Sequence, residues 1–98
     1  MVLRRPADAP DLPEEELDRL QDGHLEYMDG LRAEGKMLAN GPFDEQPDES
    51  LRGLCVMSCG TDEARELMLR DPSVAAGRMV PDVFVWLIPD GLARFGAD

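Results

Sequence analysis

Leu17, Leu20, His24, Tyr27, Met28 and Leu31 recur at steps of three and four residues, and this pattern constrains the fold more than any other in the chain. The spacing places all six on one side of an α-helix over residues 13–34, whose apolar stripe must be buried against a second layer. Pro13 suits a first turn, and Glu14, Glu15 and Glu16 complement the positive end of the helix dipole. Asp11 and Glu14 have the spacing of a capping box, and Gly35 is the expected stop. Gly23 and Gly30 each weaken the helix by about 1 kcal/mol relative to alanine, yet the periodicity outlasts both. His24, the only histidine, takes a place in the stripe where leucine is expected. A group that exchanges protons near neutral pH has been put where burial is expected, which makes it the first candidate for chemistry.

The remaining elements follow from short apolar runs and their punctuation. Residues 37–40 form a strand closed by Gly41 and Pro42, residues 51–58 a second, and residues 83–88 a last one, apolar on both faces. Thr61 is placed to cap a second helix in which Ala64, Leu67, Met68 and Asp71 share a face before Pro72 ends it. The acidic, aperiodic stretch 43–50 reads as a surface loop able to lie over a neighbouring pocket. With residues 2–5 as a first strand, the order is strand, helix, strand, strand, helix, strand. That is an α+β, ferredoxin-like βαββαβ arrangement, a single domain over residues 1–98 without repeats or a linker. Two helices cover one face of such a sheet. Because Val83, Val85 and Leu87 alternate with Phe84, Trp86 and Ile88, and Leu54 to Met57 repeat the two-sided pattern, the second face needs a cover. A homodimer formed through the sheet faces supplies one.

Charge and composition remove several function classes. The chain has 21 acidic and 10 basic side chains, a net charge of -11, which repels phosphate backbones and anionic lipid and argues against nucleic acid as a partner. No apolar run approaches the roughly 20 residues of a membrane helix, and residues 1–10 hold no apolar signal core, so a soluble cytoplasmic protein is expected. Cys55 and Cys59 lie four residues apart at a strand end, about 13 Å in extended chain against a limit of about 7 Å for a bridge, so both are expected as thiols. One histidine and two cysteines do not make a metal set, and the acidic residues of 44–49 lack the ligand order of a calcium loop. No cofactor or metal is expected. Met28, Met57 and Met68 read as core filler.

The ordered set Gly23-His24-Leu25-Glu26-Tyr27-Met28, Leu31, Gly35, Gly41-Pro42, Glu63-Ala64, Asp71-Pro72, Ala76-Gly77 and Trp86 resembles the YCII-related (YciI-like) family, from about Glu14 to Ile88. The resemblance implies a dimeric α+β barrel of ferredoxin-like subunits and a histidine–aspartate pair in a pocket, matching His24 and Asp71. Two departures stand out. Members of the family begin with a longer apolar first strand, whereas only five residues precede Pro6, so either the true start lies upstream of Met1 or the sheet is weakened. Ser73 stands where the family often has an aromatic residue, which changes the size and lining of the pocket.

The pair also follows from the topology. His24 faces the sheet from the first helix and Asp71 from the second, and both helices lie on one face. An aspartate at a helix C-terminus opposes the dipole and is explained by a partner such as an imidazole. The alternative for Asp71 is a cap on a short turn at Pro72, and the two roles are compatible. The chain has no nucleophile elbow and no glycine-rich phosphate loop, which leaves acid–base chemistry in which Asp71 sets the tautomer of His24. Arg78 and Arg52 are candidates to bind a substrate carboxylate, and Gly41, Pro42 and Ser73 to line a small-molecule pocket. Tyr27, Phe43 and Trp86 can wall that pocket or simply fill helix stripe, loop and sheet. Two functions fit: a cofactor-independent lyase or isomerase acting on a small organic acid or aromatic, or a non-catalytic dimeric domain that binds a small ligand.

Overall fold

The computed structural model describes residues 1–94. Its elements are β1 (Val2–Arg4), α1 (Glu14–Ala33), β2 (Met37–Pro42), β3 (Leu51–Met57), α2 (Thr61–Met68), α3 (Pro72–Ala75) and β4 (Val80–Asp82). The sheet is antiparallel throughout, in the order β2-β3-β1-β4. This is the α+β, ferredoxin-like order, with one small helix, α3, added before the last strand.

α1 buries the stripe read from its sequence: His24, Met28 and Leu31 are buried, and Leu17, Leu20 and Tyr27 are partly so. It ends in a Schellman turn, in which the amide of Lys36 donates to the carbonyl of Leu31 and that of Gly35 to Arg32. Gly35 takes the positive φ of 77° that the turn requires. At the other end the expected capping box is absent. Pro13 occupies the cap position without a side-chain hydrogen bond, because the helix starts at Glu14 and leaves Asp11 two residues outside. Thr61 likewise is the first helical residue of α2, and Gly60 occupies its cap.

The core joins the two layers through Leu3, Met28, Leu31, Met37, Cys55 and Met68, with Met57 packed against them. Its methionines fill space between helix and sheet, as their unbranched chains allow. Cys55 and Cys59 are both free thiols.

The last strand lies three residues earlier than its sequence pattern indicates. β4 pairs with β1 through Arg4 and Val80, Leu3 and Pro81, and Val2 and Asp82, reinforced by an ion pair of Arg4 with Asp82. The ladder ends at Asp82, and residues 84–88 lie outside the strand. Phe84, Val85, Trp86 and Leu87 are between 57% and 88% exposed. Trp86 therefore does not fill the sheet. Pro81, which has no amide hydrogen, is tolerated because β4 is an edge strand.

Candidate active site

His24 and Asp71 meet in the interior. Nδ1 of His24 lies 2.7 Å from Oδ1 of Asp71, and the aspartate is wholly buried. Its second oxygen, Oδ2, accepts the backbone amides of Ser73 and Val74, each at 3.1 Å. Asp71 thus does both things its sequence context allowed: it caps α3, with Pro72 in the first helical position, and it pairs with His24. It does so from outside α2, which ends at Met68, so the expected helix C-terminal aspartate is in fact a helix N-cap. The amides fix the carboxylate plane, and the remaining oxygen is aimed at the imidazole.

With Nδ1–H donating to Asp71, the neutral ring keeps its lone pair on Nε2. No buried side-chain nitrogen or oxygen lacks a partner among the described residues, and Nε2 makes no hydrogen bond, so it faces open space. That space is a cavity of about 420 Å3 between α1 and the sheet. The volume suits a small molecule.

His24, Gly41, Pro42, Arg52, Ser73 and Arg78 border it, and Asp71 stands behind the histidine. Gly41 and Pro42 form one rim, Arg52 and Arg78 line it, and Ser73 lies beside His24. The Ser73 hydroxyl contacts the Leu20 carbonyl at 3.5 Å, which ties α3 to α1. Arg52 is brought in by a β-bulge. The register passes from Leu3 opposite Gly53 to Arg4 opposite Leu51, leaving Arg52 as the extra residue, and so Arg52 and Gly53 both line the cavity although they are consecutive.

Arg5 also lines the cavity, and sequence reasoning missed it. Desolvation, then the charges of Arg52 and Arg78, hold its guanidinium below the ordinary arginine value, with Glu49 acting in the opposite direction. Its signal was available in the alternation of β1, because Arg5 is two residues beyond the inward-facing Leu3. Cys55 forms part of the wall, and burial pushes its thiol up to about 11, so it stays protonated at neutral pH.

The aromatic candidates do not wall this cavity. The Tyr27 hydroxyl donates to the Leu67 carbonyl at 2.6 Å and so links α1 to α2, while Trp86 borders a separate groove shared by β3 and the start of α2. Residues 43–50 stay off the cavity, so the expected covering loop is not one. Among the described residues, no helix is long and apolar enough to cross a membrane.

Neither the curated proteins nor the solved structures give a match to this chain. The family model of the YCII-related domain matches residues 1–87. That stretch contains β1 through β4, the His24–Asp71 pair and the cavity. The chain therefore belongs to the YCII-related domain family.

Proposed function

We propose that this protein is a cofactor-independent acid–base enzyme, a lyase or isomerase acting on a small organic acid. The observation that carries the reading is the 2.7 Å bond of His24 Nδ1 to the buried Asp71, which leaves Nε2 as a bare base open to a cavity lined by arginines. In this reading Nε2 removes a proton from carbon beside the substrate carboxylate. The released electron pair either expels a leaving group or is reprotonated at a second carbon, and His24 returns the proton. Asp71 steadies the imidazolium formed in between, and the arginines hold the carboxylate and stabilise charge that develops on it.

A homodimer formed through the sheet faces belongs to the same proposal. Leu54, Phe84, Val85 and Trp86 leave apolar surface exposed around one groove, which supports such a cover.

The test does not require the substrate to be known. Small carboxylic acids and phenols are screened by thermal shift, and those that bind are incubated with the protein in D2O while loss of C–H signal is followed by NMR. Wild type is expected to exchange a proton on at least one bound acid, and His24→Asn to lose that exchange while keeping its fold. Binding with no exchange in either protein would instead favour a ligand-binding domain without catalysis.

A further inference from the structure

We propose that the His24 cavity takes a small acid with two carboxylates, gripped by Arg5, Arg52 and Arg78. The inference rests on the acid–base reading of the site and adds the class of substrate. Three arginines from three separate parts of the chain line one cavity of about 420 Å3 in a molecule with a net charge of -11.

Outside the cavity Arg4 pairs with Asp82, Arg32 with Asp29, Lys36 with Glu63 and Arg65 with Asp62, while Arg19 and Arg70 make no ion pair among the described residues. The cavity differs in gathering three weakly paired arginines in one place. Among the described residues Arg5 and Arg78 make no ion pair, and Arg52 donates to the Glu49 carbonyl at 3.2 Å and lies 4.0 Å from the solvent-exposed Glu49 carboxylate. Arg78 donates to the Pro10 carbonyl at 2.7 Å, which positions its head group without cancelling the charge. Asp18 is the one acidic side chain on the lining.

Burial first, and then the like charges of Arg52 and Arg78, disfavour the charged Arg5 guanidinium. An anionic occupant relieves that repulsion. A guanidinium binds a carboxylate through two parallel hydrogen bonds, so three such forks exceed what one carboxylate can use. Two carboxylates use them fully. Phosphate is the competing dianion, but the α3 amides nearest His24, which could serve it, already donate to Asp71.

Malonate, succinate and glutarate, their monocarboxylate counterparts of equal chain length, and inorganic phosphate are titrated calorimetrically into wild type, Arg5→Gln, Arg78→Gln and His24→Asn at low ionic strength. At least one dicarboxylate is expected to bind about ten-fold more tightly than its monocarboxylate, and each arginine variant to lose about ten-fold for it with little change for the monocarboxylate. His24→Asn should retain the preference. Equal affinity for both members of every pair, tighter binding of phosphate than of any dicarboxylate, or affinity unchanged in both arginine variants would overturn the proposal. The two readings fail separately. Dicarboxylate selectivity without proton exchange removes the catalytic reading alone, whereas exchange on a monocarboxylate that Arg5→Gln leaves intact removes the dicarboxylate alone.

Discussion

Asp71 carries three interactions on two oxygens without contact with solvent, and everything at the site depends on that residue. Asp71→Ala leaves a buried imidazole N–H and two helix amides unpaired, and is expected to cost about 3–5 kcal/mol. Asp71→Asn keeps an acceptor for the amides and should cost about 1–2 kcal/mol. Urea unfolding of the two variants checks the order, and a cost below about 1 kcal/mol for alanine would mean the pair is not formed. Cys55 gives a second expectation with a definite sign. Its thiol rises from 9.0 to about 11 on folding, so the folded state holds the proton more tightly. The stabilisation is fully present below about pH 9 and is lost as pH rises through about 11, roughly 2–3 kcal/mol in all. Cys55→Ala should remove that part of the alkaline loss, measured as unfolding free energy against pH. At this scale the sequence was informative where a residue type was out of place, as histidine is in an apolar stripe. Arg5 was signalled only by its alternation with Leu3, and an arginine there is ordinary until its neighbours in space are known.

The elements show which local signals survive tertiary packing. The stripe of α1 and its Gly35 stop were legible because helix period and Schellman geometry are set by residues close in sequence. The extent of β4 was not, because pairing decides it. The apolar run 83–88 has strand composition, but β1 pairs with residues 80–82 instead. The two glycines of α1 looked equivalent in sequence and are not. A Cβ on Gly23 would lie 3.0 Å from the Pro72 ring on α3, whereas one on Gly30 would meet nothing within 4 Å. Gly30→Ala is therefore expected to stabilise the protein by roughly 0.5–1 kcal/mol through helix propensity. In Gly23→Ala that gain is offset by pressure on α3, which carries the cap to Asp71, so stability should change little while ligand affinity falls. Thermal unfolding of both variants, with calorimetry on the second, tests the contrast. Equal stabilisation with intact binding would show that the α1–α3 contact is not tight.

For the whole molecule, the topology could be read from the order of elements, and the two-sided apolar strands indicated a face that needs covering. The exposed Leu54 and residues 84–87 keep that expectation in force. Sedimentation at micromolar concentration should find a dimer in wild type and a monomer in Leu54→Glu, and a wild-type monomer would remove the dimer from the account. What the sequence did not disclose is the electrostatic character of the cavity. Its arginines come from β3 and from the segments after β1 and α3, and only the folded sheet gathers them in an otherwise acidic chain.

The proposed chemistry depends on the two ring nitrogens of His24, and because it is the only histidine they can be observed without ambiguity. Long-range 1H–15N correlation of the neutral ring should show the proton on Nδ1 and a bare Nε2 whose resonance moves when a bound acid fills the cavity. It should also show a changed tautomer balance in Asp71→Asn. A neutral ring protonated on Nε2 in the wild-type protein would contradict the account, because no base would then face the cavity.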